Sequence, residues 1–170
     1  MTTRRVAMIG SRSQHFVERY TPTIENEFER MIKYKGKEYL VQILDTAGQD
    51  EYSVVDRRYI NEMDGYVLIY SVTLRSSFEL VRVIHDKILN ALGVERVPIA
   101  VVGNKSDLHM QRQVSKEEGV ALAKELDAAF IETSAKYDEN VTKAFESLLA
   151  EIEKQTAPDP KQRQSSCIIA

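Results

Sequence analysis

The chain reads as an α/β layered fold, a mostly parallel six-stranded sheet with helices on both faces, and three observations predict it. Short β-rich runs alternate with stretches of helical period along most of the length. Two of those runs, Tyr66-Val67-Leu68-Ile69-Tyr70 and Ile99-Ala100-Val101-Val102, are apolar on both faces, as strands covered by helices on each side must be. A third pair of runs flanks Tyr34-Lys35-Gly36-Lys37, a glycine-bearing turn suited to joining two antiparallel strands near a sheet edge.

In order, strands are expected at about 5–10, 28–34, 37–45, 65–72, 97–103 and 129–133. Within the third, Tyr39, Val41 and Ile43 alternate with more polar neighbours. A helix runs from about Ser76 through Phe78, Val81, Ile84, Ile88 and Leu92 and stops at Gly93, a residue that takes the left-handed cap at no steric cost. Ser115-Lys116-Glu117-Glu118 has the form of a capping box at the start of a helix carrying Val120, Ala123 and Leu126. Val141, Ala144, Phe145, Leu148, Leu149 and Ile152 place six apolar groups on one helical face, which must cover the sheet. After Gln155 the chain has two prolines and no periodicity. Residues 1–155 are therefore expected to form one domain and 156–170 a flexible tail.

Composition narrows the function. The chain has 170 residues, 43% hydrophobic and 29% charged, enough for one sizeable core and too apolar for disorder. No run approaches the ~20 apolar residues of a membrane span. A net charge of -3 gives no basic excess of the kind that binds nucleic acid through phosphates, so nucleic acid is not an expected partner. The single Cys167 can make no internal disulfide, and Met1–Val6 lead directly into a strand without a signal-peptide core, which points to the reducing cytoplasm. His15, His85 and His109 show no ligand spacing to one another or to Cys167.

In an open α/β sheet, ligands bind beyond the carboxyl ends of the strands. Three such ends are strongly marked: Asp45-Thr46-Ala47-Gly48-Gln49 after the third strand, Asn104-Lys105-Ser106-Asp107 after the fifth, and Glu132-Thr133-Ser134-Ala135-Lys136 after the sixth. A carboxylate there can hold Mg²⁺, and Asp107 can accept two hydrogen bonds from the planar N–H edge of a guanine. Each fragment alone is also an ordinary turn, because Asp, Asn and Gly are turn residues for backbone reasons.

Together with Tyr20-Thr21-Pro22-Thr23-Ile24-Glu25, these segments stand in the order and approximate spacing of a small GTPase of the Ras superfamily, which the chain resembles over nearly its whole length. Gly10-Ser11-Arg12-Ser13, Gln49-Asp50-Glu51-Tyr52-Ser53 and Asp107-Leu108-His109-Met110 followed by Arg112 make it look like the Rheb branch. The resemblance implies a P-loop-NTPase-like sheet of six strands with one antiparallel edge, and a GTP hydrolase that switches between GTP and GDP with Mg²⁺. It implies that Tyr20 and Thr23 lie at the nucleotide in the first switch, Thr23 also binding Mg²⁺. Asp45 would hold the metal through water, Gly48 would donate its N–H to the γ-phosphate, and Gln49 would be the catalytic residue that orients the attacking water. Asp107 would select guanine, Asn104 would brace the site, Lys105 would lie over the ring, and the backbone of Ser134, Ala135 and Lys136 would bind the guanine oxygen. It further implies a monomer that meets a GTPase-activating protein and an effector kinase complex in growth-control signalling through Tyr20–Glu25 and Gln49–Ser53.

The chain departs from that pattern at one place. A phosphate-binding loop needs Gly, four residues, then Gly-Lys-Ser/Thr, so that N–H groups, an ammonium and a hydroxyl surround the phosphates. Counted from Gly10 those positions are His15, Phe16 and Val17, and no Gly-Lys-Ser or Gly-Lys-Thr occurs anywhere. The first helix of the family is expected to be absent or rudimentary, since only Gln14–Arg19 separate Ser13 from Tyr20. Six extended residues span about 20 Å, so the join is sterically possible. Losing about four charge-assisted hydrogen bonds at about 1.5–3 kcal/mol each removes roughly 6–12 kcal/mol of phosphate binding. Two alternatives to a working switch stay open at this point: an interaction module that does not bind nucleotide, and an incomplete splice or gene-model product of a GTPase locus.

The end of the chain carries a separate signal. Cys167-Ile168-Ile169-Ala170 has the form of a farnesylation site, and the tail before it is long enough to reach a modifying enzyme. One prenyl chain anchors reversibly, so attachment at the cytoplasmic face of a membrane through Cys167 is expected.

Overall fold

The computed structural model describes residues 1–10, 26–46 and 60–157. Chain order is β1 (Thr2–Gly10), β2 (Asn26–Tyr34), β3 (Lys37–Asp45), β4 (Gly65–Ser71), α1 (Arg75–Leu92), β5 (Ile99–Asn104), α2 (Lys116–Glu125), β6 (Ala129–Glu132) and α3 (Val141–Thr156), with a 3₁₀ turn at His109–Gln111. The six strands form one sheet in the order β2-β3-β1-β4-β5-β6. Every pairing is parallel except β2 with β3, so the edge hairpin expected at Lys35-Gly36 is present. Both turn residues are left-handed, Lys35 at φ 48° and Gly36 at φ 77°, as a two-residue hairpin whose twist matches its strands requires.

Neighbouring residues on the central strands serve opposite cores. Ala7, Leu68 and Val101 join Val81, Ile84 and Ile88 of α1 and Leu122 and Ala123 of α2 on one face. Val6, Val67 and Ala100 join Phe145, Leu148, Leu149 and Ile152 of α3 on the other. That is the reason for the two-sided apolar runs in the sequence. Gly93 caps α1 at φ 65° and donates its N–H to the carbonyl of Leu89. The capping box of α2 is complete: Ser115 Oγ accepts from the Glu118 N–H at 3.2 Å, and Glu118 accepts from the Ser115 N–H at 2.9 Å. Glu118 also takes a two-pronged bond from Arg75, at 2.6 and 3.2 Å, which ties the start of α2 to the start of α1.

Two local expectations shift. β1 begins at Thr2 rather than near residue 5, because its polar first turn pairs in parallel with Tyr39–Gln42. Val120 faces outward, and α2 instead buries Gly119, Leu122 and Ala123. Gly119 is required there, since a Cβ would lie 2.4 Å from Phe130 Cζ and 2.6 Å from Tyr70 Oη. Glu151 is buried on the apolar face of α3, where Arg96 at 3.5 Å and Lys154 at 2.7 Å balance it. The expected phosphate-loop departure and first helix fall on residues 11–25, and most of the expected tail on 158–170; both lie outside the described residues.

Candidate functional site: the carboxyl rim of the sheet

Because β1, β3, β4, β5 and β6 run the same way, their carboxyl ends share one rim. Asn104 ends β5 and Glu132 ends β6, and the register places Gly103 beside Glu132. Two loops therefore leave adjacent strands side by side, one carrying Lys105–Asp107 and the other Thr133–Lys136.

They are bonded to each other along their length. Thr133 donates its N–H to the carbonyl of Gly103 at 2.9 Å, and Ser106 donates its N–H to the carbonyl of Thr133 at 3.1 Å. Asn104 Oδ1 accepts from Thr133 Oγ1 at 3.2 Å and from the Ala135 N–H at 3.2 Å. A backbone N–H can only donate, so the second bond fixes which amide atom is the oxygen and leaves the donor side of Asn104 as the chemistry it offers a ligand. Ser134 is fully buried, and its hydroxyl donates to Asp107 Oδ1 at 2.8 Å while the Tyr137 N–H donates to it at 3.4 Å. A carboxylate has about four acceptor positions, so Asp107 can still take both donors of a planar N–H edge.

The turn geometry follows from local sequence. Lys105 is left-handed at φ 62°, and the Leu108 N–H closes on its carbonyl at 3.0 Å, which turns the chain back after one strand end. Ser134 and Glu139 form a two-way bridge at 3.1 and 2.9 Å that folds 135–138 outward. Ala135 and Lys136 are exposed, with Lys136 Nζ 5.2 Å from the ring of Tyr137.

Six of the sequence-predicted positions, Asn104, Lys105, Asp107, Ser134, Ala135 and Lys136, are thus assembled in two touching loops. Asp45 ends β3 on the same rim, where Thr46 donates both its N–H and its hydroxyl to the Met8 carbonyl at 3.2 and 3.0 Å. Tyr20, Thr23, Gly48, Gln49 and Cys167 lie outside the described residues. The contribution of Thr133 to Asn104 was not singled out in the sequence, nor was a fork from Arg112 to Glu132, at 2.6 and 3.1 Å. That carboxylate beside Arg112 raises the guanidinium above its ordinary pKa. Asn140 was missed as well: it precedes α3 in a left-handed conformation and donates Nδ2 to the Glu132 carbonyl at 3.1 Å instead of capping the helix.

Comparison with known proteins follows the same lines. A family model described as Ras family matches residues 8–154. The chain belongs to the Ras family. Among curated relatives, this Ras-family chain is 54% identical to the GTP-binding protein rhb1 of Schizosaccharomyces pombe, over 98% of the chain and 97% of the relative. It is 50% identical to the small monomeric GTPase RhbA of Aspergillus fumigatus, over 98% and 96%, and 44% identical to the GTP-binding protein Rheb of Homo sapiens, over the same shares. It is a Rheb-like member of the family, and these relatives add nothing to the two alternatives set against a switch. The rhb1 alignment runs over 179 positions, while 98% of 170 residues is about 167, so about 12 positions have no residue in this chain.

Proposed function

We propose that this chain is a guanine-nucleotide switch of the Rheb type, which binds GTP and GDP and hydrolyses GTP. The observation that carries this reading is the cross-bonded pair of loops in which Asp107 is set by Ser134 and Asn104 by Thr133 and Ala135. Asp107 accepts the two N–H groups on one edge of guanine, a pattern adenine does not offer. The Asn104 amide donors face a purine acceptor, Lys105 covers one face of the ring, and the main chain of Ala135 and Lys136 donates to the guanine oxygen, the Ser134 N–H being held by the Glu139 carbonyl at 3.1 Å. Ala135 already donates to Asn104 at 3.2 Å, so on binding it shares or exchanges that long bond.

Asp45 on the rim is an oxygen donor of the kind Mg²⁺ takes, with the Thr23 hydroxyl as second ligand. Bound there, the ion would neutralise phosphate charge. Tyr20 closes over the nucleotide, the Gly48 N–H donates to the terminal phosphate, and Gln49 aligns a water for attack on it. Without Gly-Lys-Ser/Thr the chain relies on its base site and on Asp45 and Thr23 for retention, so slower hydrolysis and faster release than in the relatives are expected. Tyr20–Glu25 and Gln49–Ser53 meet a GTPase-activating protein and an effector kinase complex, and the chain acts as a monomer. A prenyl group on Cys167 holds it at the cytoplasmic face of membranes. Among the described residues no helix is long and apolar enough to cross one.

Titration with fluorescent GDP and Mg²⁺ tests the reading. Saturation by micromolar nucleotide, reversed by GTP and not by ATP, supports it; no saturation, or equal displacement by ATP, overturns it. Replacing Cys167 with Ser should release the protein from sedimenting membranes, and unchanged sedimentation would refute the lipid anchor.

A further inference from the structure

The two rim loops are also joined behind the base site, by groups that no step above uses. Arg112 follows the 3₁₀ turn and donates Nη1 to Glu132 Oε1 at 2.6 Å and Nη2 to Glu132 Oε2 at 3.1 Å, with a further bond from Nη1 to the Val114 carbonyl at 3.0 Å. The two side chains are only 23% and 14% exposed. The main chain of Glu132 is held too, through Asn140 Nδ2 on its carbonyl at 3.1 Å. The next residue is Thr133, whose hydroxyl and carbonyl make the bonds to Asn104 and Ser106.

We infer that the Arg112–Glu132 pair, braced by Asn140, sets the spacing of the two base-site loops, so that these are positioning residues for guanine recognition. The inference rests on the guanine-nucleotide reading above. The bonds at the site are single contacts at 2.8–3.2 Å, and such contacts fade within a few tenths of an ångström. A planar fork on a carboxylate fixes distance and orientation together, which a single ammonium does not. Arg82 of α1 donates Nη2 to Glu125 Oε2 at the last residue of α2, at 2.6 Å, and so supplies a control with the same guanidinium–carboxylate chemistry away from these loops.

The test compares Arg112→Ala, Arg112→Lys and Arg82→Ala in the full chain, by amide hydrogen exchange and by dissociation of fluorescent GDP with Mg²⁺. Arg112→Ala should speed exchange at Ser106 and Ala135, the two cross-loop amides, by roughly 10–100-fold, the scale of charge-assisted hydrogen bonds, while Val67 and Val101 keep wild-type exchange. GDP should leave faster in the same order, Arg112→Lys should fall between Ala and wild type, and Arg82→Ala should leave both readouts at wild-type rates. Wild-type exchange at Ser106 and Ala135 in Arg112→Ala, or acceleration spread over the whole sheet with Val67 and Val101 included, overturns the inference. A wild-type chain that fails to bind GDP refutes the nucleotide reading alone, and the exchange pattern still decides whether this pair spaces the loops.

Discussion

Replacing Gly119 with alanine separates packing from helix propensity at one position. In an exposed helix interior this change gains about 0.8–1.0 kcal/mol, because glycine carries the larger backbone entropy. Here the added Cβ would meet Phe130 Cζ at 2.4 Å, Phe130 Cε2 at 2.5 Å and Tyr70 Oη at 2.6 Å. None of these yields easily: Tyr70 is fully buried and packed edge-on against Phe78 at 5.0 Å, and Phe130 sits within β6. Overpacking costs about 1–3 kcal/mol, and three contacts inside 3.0 Å place this case in the upper half of that range. The net loss is about 1–2 kcal/mol, which for a domain of this size lowers the melting temperature by about 2–8 °C. Thermal unfolding followed by far-ultraviolet circular dichroism measures it, with Val120→Ala on the outer face of the same helix as the comparison. That neighbour is 48% exposed and should hold or raise the melting temperature. A melting temperature for Gly119→Ala at or above wild type would show that α2 is not seated on Phe130 as described.

Asp107→Asn should weaken GDP binding at least about tenfold and shift preference toward xanthosine diphosphate, whose 2-oxo group accepts from an amide; competition titrations with both nucleotides check it. Ser134→Ala removes the hydroxyl that orients Asp107 and should raise the GDP dissociation constant by about 5–30-fold, read by fluorescence titration. Glu118 is held down to about 2 from 4.5, first by the bond from Arg75 and then by the Ser115 N–H. Its folded value lies below its unfolded one, so its stabilisation is present above about pH 4.5 and is lost as pH falls toward 2. Glu118→Gln should therefore lower the melting temperature at neutral pH and flatten its fall across that window, as a melting series from pH 7 to 2 would record.

The sequence exposed whatever depends on local period or local caps. Val81, Ile84 and Ile88 marked the buried stripe of α1, Ser115 and Glu118 marked the start of α2, and Gly93 marked a stop, because each of these acts within a turn or two of chain. Features that depend on a distant partner did not show. Thr2–Arg4 reads as polar coil until Tyr39–Val41 lies beside it. Glu151 looks like a break in the apolar face of α3 until Arg96, 55 residues away, is placed against it. The rim residues Asn104, Lys105, Asp107 and Ser134–Lys136 were legible as strand-end motifs, whereas the bonds that join their loops were not: Arg112 and Glu132 are 20 residues apart and Thr133 and Asn104 are 29 apart, with no periodic signal linking them.

The amide oxygen of Asn104, saturated by Thr133 and Ala135, has a kinetic consequence. A receptor wall whose polar atoms restrain one another is shaped during folding, and little ordering is left for the moment of encounter. Competing purines should then arrive at similar rates and differ mainly in residence time.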